Sequence, residues 1–80
     1  MTDQHYPTPT LDLVRARRQS MPPALRRIAD FVLDRPDRAF KMSTTELAHE
    51  TGTKSESTVV RFYRALGFES YHEFKVTLAI

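Results

Sequence analysis

The chain has 80 residues, 40% hydrophobic and 28% charged, with two Gly, five Pro and neither Cys nor Trp, which is the size of one small domain. A domain this short buries only about 60% of the surface its unfolded chain exposes, so a thin core is expected and a deep substrate cavity is not, which argues against most enzymes. Twelve Lys and Arg against ten Asp and Glu leave a net charge of +2; the absence of Cys excludes disulfides, Cys-based zinc sites and thiol nucleophiles.

No apolar run approaches the ~20 residues of a membrane span, and the first residues, MTDQHYPTPT, hold no hydrophobic signal core. The expectation is a soluble, cytoplasmic protein. Residues 1–9 carry Pro7 and Pro9 without periodicity and read as a disordered lead. Thr10 is placed to N-cap a first helix from Leu11 to about Gln19, with Leu11 and Val14 inward and Arg15 and Arg18 outward. Pro22 and Pro23 break it, and because proline is tolerated in a first helical turn, a second helix runs from near Pro23 to about Asp34. Leu25, Ile28, Ala29 and Val32 fall at i, i+3, i+4 and i+7 of that helix, and Phe31 and Leu33 widen its apolar face enough for more than one packing neighbour. Arg35-Pro36-Asp37 ends it, since the residue before proline is pushed out of the helical region.

Ser43-Thr44-Thr45-Glu46 has the spacing of a capping box, with Met42 and Leu47 as a hydrophobic staple. The short third helix stops at Gly52, a residue that takes the left-handed conformation without steric cost. Ser55 caps a fourth helix that ends near Leu66, with Gly67 as its stop, and Ser70-Tyr71-His72-Glu73 repeats the capping-box spacing to open a fifth that runs on to Ile80. No segment alternates like a strand, so the expected fold is all-α, five helices with short connections.

Two short helices joined by a glycine turn form a helix-turn-helix unit, here about residues 43–67. Leu47 anchors the first helix, Ala48 lets the second approach and Gly52 makes the turn. In the usual spacing the next core positions would fall on Thr58 and Arg61; one extra residue in the turn, placed around Lys54, moves them to Val59 and Phe62. Val59, Phe62, Tyr63 and Leu66 then share one face of the fourth helix, with Ser57, Arg61 and Arg64 opposite. That pattern fits either an ordinary amphipathic helix with a wet face or a helix that enters a major groove. In the second case Ser55, Glu56, Ser57 and Thr58, at the end that reaches deepest, are the base-reading candidates, and Arg61 reads a base or clamps a phosphate. The arginines at 15, 17, 18, 26 and 27, a stretch without an acid, are equally open between a solvated face and a binding surface.

The strings RRIADFVLDRP, MSTTELAHETG, STVVRFYRALGF and YHEFKVTLA make residues 11–80 resemble the N-terminal domain of RpiR-type bacterial transcription regulators. The resemblance implies a DNA-binding domain that precedes a sugar-isomerase-like (SIS) domain, absent from these 80 residues, through which a phosphorylated sugar or related metabolite controls operator binding. It maps the scaffold helix to Thr44 through Thr51, the recognition helix to Ser55 through Leu66 and the family arginine to Arg61, and it puts Tyr71 and Lys75 near the DNA backbone. The expected DNA-contacting set is therefore Ser43, Lys54, Ser55, Glu56, Ser57, Thr58, Arg61, Arg64, Tyr71 and Lys75. Two departures from the family pattern stand out: most members have a shorter turn than Gly52-Thr53-Lys54-Ser55, which bears on the angle of the recognition helix, and Pro22 stands where a capping Thr or Ser is common. A homodimer on a pseudo-palindromic duplex is expected, because one short helix reads few base pairs.

Other readings have less behind them. Glu46 and His49 have the E-x-x-H spacing of carboxylate metal sites, but one copy without further carboxylates is weak and Glu46 already serves the capping box. His5 and His72 stand beside no nucleophile, and Ser20, Ser43, Ser55, Ser57 and Ser70 all fall at caps or turns, so no catalytic site, metal or cofactor is expected. The alternative of another class is a helical protein-interaction or dimerisation module, for which Val76, Leu78, Ala79 and Ile80 would be an exposed apolar end.

Overall fold

The computed structural model describes residues 9–53 and 55–78. Among them six α-helices follow one another: α1 (Pro9–Arg17), tightening into a 3₁₀ turn over Arg18–Ser20, then α2 (Pro23–Asp34), α3 (Pro36–Phe40), α4 (Thr44–Glu50), α5 (Glu56–Ala65) and α6 (Tyr71–Leu78). No strand occurs among the described residues, as an all-α reading requires. The core gathers on α2 and α5. Ile28, Ala29 and Val32 of α2, Leu47 of α4, Val59 and Phe62 of α5 and Phe74 of α6 are all completely buried. Helix α2 packs on α1, α3 and α5, while α6 closes the other side against α1 and α3. An aromatic cluster ties the last two helices together. Phe62 meets Phe74 edge to face with ring centres 5.6 Å apart, and Phe68 and Tyr71 lie 5.8 and 5.9 Å from the same ring, geometries favoured by the aromatic quadrupole.

The structure corrects the sequence reading at four places. It has six helices where five are expected: Arg35 leaves the helix as a residue before proline should (φ -137°, ψ 65°), but Pro36 then takes the first position of a new five-residue helix. The preference that starts α2 at Pro23 starts α3 as well. Helix α1 begins at Pro9 rather than behind a capping Thr10, which sits in the first turn, only 4% exposed. The second half of the Ser70 capping box is redirected: Ser70 Oγ accepts from the Glu73 amide (3.1 Å), but the Glu73 carboxylate accepts from Glu69 N (2.9 Å) rather than from Ser70 N. Finally, the apolar end of the last helix, expected to be exposed, is partly turned inward, because α1 and α6 pack on each other. Val14 and Leu78 are buried there, Leu11 is half-buried, and Val76 is the exposed apolar residue of α6. Residues 1–8, which make up most of the expected lead, and Ala79 and Ile80 lie outside the described residues.

Candidate nucleic-acid interface

Helix α4 starts where its sequence says it must. Glu46 N donates to Ser43 Oγ (3.1 Å) and Ser43 N donates to Glu46 Oε1 (2.9 Å), closing a full capping box. It ends in a Schellman closure, with Gly52 N on His49 O (3.2 Å) and Thr53 N on Ala48 O (3.0 Å). Gly52 has φ 73°, the left-handed value that a side chain would strain. Thr51 Oγ1 adds a bond to Leu47 O (2.8 Å), so the turn is held by side chains as well as backbone. Ala48, 4% exposed, leaves room for α5 to lie close.

Helix α5 is capped by Ser55, whose Oγ accepts from Ser57 N (3.2 Å), and closed by the same Schellman pattern at Gly67, with Phe68 N on Tyr63 O (3.1 Å) and Gly67 N on Arg64 O (2.9 Å). Its inner side is the expected one: Val59 and Phe62 are completely buried, Tyr63 is 8% and Leu66 4% exposed. This places the core on the register with the longer turn, because Thr58 stays half-buried and Arg61 is exposed. Ser57, Arg61 and Arg64, spaced i, i+4 and i+7, form one outward stripe. Neither arginine has an ion pair or hydrogen bond among the described residues.

Of the other expected contact residues, Ser55, Glu56, Tyr71 and Lys75 have side-chain partners within the protein, as Ser43 has in its capping box. Glu56 receives two hydroxyl donors from the first turn of α4, Thr44 Oγ1 on Oε1 (3.0 Å) and Thr45 Oγ1 on Oε2 (2.7 Å). These bonds, that from Thr45 first, hold its carboxyl below the usual carboxylate range. The Ser55 and Ser57 hydroxyls share a 2.6 Å bond. Tyr71 donates its hydroxyl to Met42 O (2.8 Å), which ties α6 to the start of α4, and burial followed by the nearby Glu46 carboxylate pushes its pKa up to about 12. The Lys75 ammonium lies 5.4 Å from the Tyr71 ring centre, within cation–π range. Lys54 lies outside the described residues.

Side chains that the sequence reading did not single out border these two helices or hold them. Thr45 and His49, one turn apart on α4, line a 620 Å³ groove with Ala48, Gly52, Ser55, Glu56 and Ser57, along the side where α4 and α5 meet. Arg17 of α1 donates to Ala65 O (2.7 Å) and so caps the C-terminal end of α5. The i, i+4 spacing of Thr45 and His49 was readable; the contact of Arg17, 48 residues from its partner, was not. Glu46 of the E-x-x-H pair serves the α4 cap, the role its spacing from Ser43 predicts.

A scaffold helix, a glycine turn and a second helix anchored on one face and open on the other define a helix-turn-helix DNA-binding domain. The family model described as the helix-turn-helix domain of the rpiR family matches residues 8–80, and the chain belongs to that family. It is 43% identical over 56 residues, 70% of its length, to an uncharacterized HTH-type transcriptional regulator of Thermotoga maritima, and 35% identical over 69 residues, 86% of its length, to the HTH-type transcriptional regulator HexR of Pseudomonas aeruginosa. The chain spans only 20% and 24% of those two relatives. Its fold matches the crystal structure of the N-terminal domain of ybbH from Bacillus subtilis with a TM-score of 0.83 at 25% identity, covering 91% of this chain and 88% of that one. No helix among the described residues is long and apolar enough to cross a membrane.

Proposed function

We propose that this domain binds double-stranded DNA sequence-specifically by laying α5 in the major groove. The observation that supports this most is the exposed stripe of Ser57, Arg61 and Arg64, its two arginines unpaired among the described residues, opposite the buried Val59 and Phe62. An arginine held out by a rigid helix is suited to bidentate contact with guanine O6 and N7 or to a phosphate clamp. In this reading Arg61 reads or clamps at the centre of the helix, Ser55, Glu56, Ser57 and Thr58 face base edges, and Arg64, Lys75 and Tyr71 lie toward the backbone with Ser43. Lys54 is assigned a phosphate contact on its place in the turn.

The domain carries no chemistry of its own in this proposal. It acts within a transcription regulator whose further domain, of the sugar-isomerase-like kind that the sequence resemblance implies, binds a phosphosugar-like effector; relatives four to five times as long as the matched segment support a further domain of some kind. Two copies read a pseudo-palindromic operator, with recognition helices about one DNA turn, roughly 34 Å, apart. Val76, exposed on α6, is the apolar residue offered to the second copy. Retention of a labelled duplex at low salt, lost as salt rises, tests the binding; a protein-interaction module would retain no duplex. Light scattering with and without a palindromic duplex tests the dimer, and a single copy saturating the site would assign dimerisation to the rest of the regulator.

A further inference from the structure

Glu56 is out of place on a surface meant to approach a polyanion. A capping role at the start of α5 does not require a carboxylate, since Ser55 already supplies the cap. Yet both oxygens of Glu56 accept a hydroxyl hydrogen bond, one from Thr44 and one from Thr45, and this pair of bonds favours one orientation of the carboxylate. Each oxygen keeps a second acceptor site, and the residue is exposed along the groove that it lines with Thr45, His49 and Ser57. A carboxylate only accepts, so it discriminates among base edges. Adenine offers an amino group flanked by the N7 acceptor, which repels a carboxylate; guanine and thymine offer acceptors; cytosine N4 offers a donor without an acceptor beside it on the same base.

Resting on the DNA-binding reading above, we propose that Glu56 is a specificity-determining residue, its clasped carboxylate accepting a hydrogen bond from the N4 amino group of one cytosine in the operator. Thr44 and Thr45 are the positioning residues of this contact. Their hydroxyls hold the acceptor in place before DNA arrives, which limits the side-chain ordering lost on binding.

The experiment uses the 80-residue chain and a pool of randomised duplexes. Wild-type protein is expected to select cytosine at one position of each half-site, and changing that cytosine to thymine, with its partner base, is expected to weaken binding about 5- to 150-fold. Glu56→Ala should bind the two duplexes equally, and Glu56→Gln, which keeps size and one acceptor, should move the preference toward adenine, whose N6 and N7 match an amide. Thr44→Ala with Thr45→Ala should narrow the cytosine preference without removing it. If Glu56→Ala and Glu56→Gln weaken every duplex by the same factor and still select cytosine, Glu56 only joins α4 to α5 and the proposal is overturned. If wild-type protein retains no duplex at low salt, the DNA-binding reading itself falls, and this proposal with it.

Discussion

Arginines are dense both on the α1–α2 pair and on α5, but they are used differently. On the first pair most have partners within the protein: Arg15 to Asp12 (3.2 Å), Arg18 to Asp30, Arg26 to Met21 O (3.1 Å) and Arg17 to the end of α5. Only Arg27 of that stretch has no partner among the described residues. On α5 both Arg61 and Arg64 stand clear. A count of basic residues favours the first region, which carries five arginines without an acid between Leu13 and Ala29. Pairing favours the second. An arginine already bonded to a carboxylate or a carbonyl has part of its donor set and its orientation committed to that partner, whereas an unpaired one can turn its whole guanidinium to a phosphate at the cost of water alone.

The freedom of the outer stripe depends on the anchoring of the inner one, and breaking the anchor should have the largest effect. Phe62→Ala is expected to cost about 3–5 kcal/mol of stability, as a completely buried ring whose edge-to-face partner is Phe74 should. A chemical-denaturation midpoint close to wild type would show that α5 is rotated from the position described. Removing an outward arginine should instead affect binding alone. Arg61→Ala is expected to lose about 1–3 kcal/mol of operator affinity while its thermal melt stays within a degree or two of wild type. Unchanged affinity in the folded variant would take Arg61 out of the interface.

Arg17→Ala should do the reverse. Loss of its bond to Ala65 O is expected to lower stability by about 1 kcal/mol, read by denaturation, and to leave the salt dependence of duplex binding where it was. Arg64→Ala, at the other end of the same comparison, should leave stability alone and reduce the salt slope by about one unit. If Arg17→Ala reduced the slope by as much as Arg64→Ala, the α1 arginines would be in the DNA contact after all.

An effect of similar size belongs to Tyr71, whose hydroxyl joins α6 to the start of α4. Burial raises its folded pKa from 10.0 to about 12, so its contribution to stability is complete below pH 10 and is lost as the pH rises from there through 12. Tyr71→Phe should flatten that alkaline decline and cost about 1 kcal/mol near neutral pH, the loss of one hydrogen bond. A decline of the same steepness in the variant would place the titrating group elsewhere.

These contrasts also show what the sequence made legible. The two faces of α5, the Ser43 capping box and the stops at Gly52 and Gly67 are local patterns, set by residues three to five apart, and each is read from spacing alone. Helix α3 escaped because its proline reads equally well as the end of one helix or the start of another, and with Ala39 as its one buried residue it leaves no apolar period. The Glu56 clasp and the Arg17 cap join residues 11 or more apart in sequence, and no periodicity announces such contacts. Glu56 was therefore legible as a residue at the groove-facing end of α5, but not as one held in place by α4. The inward pairing of α1 with α6 is hidden for the same reason, since the sequence shows two apolar faces but not that they meet.

The outward stripe of α5, and not the arginine-rich α1–α2 pair, is the surface proposed to meet DNA. Titration of the isotopically labelled chain with a short duplex, followed by amide resonances, tests it directly. The largest shifts are expected over residues 55–64 and the first turn of α4, fading as salt is added, with the amides of α2 little changed. Largest shifts around Arg15, Arg26 and Arg27, with residues 57–64 unmoved, would contradict it.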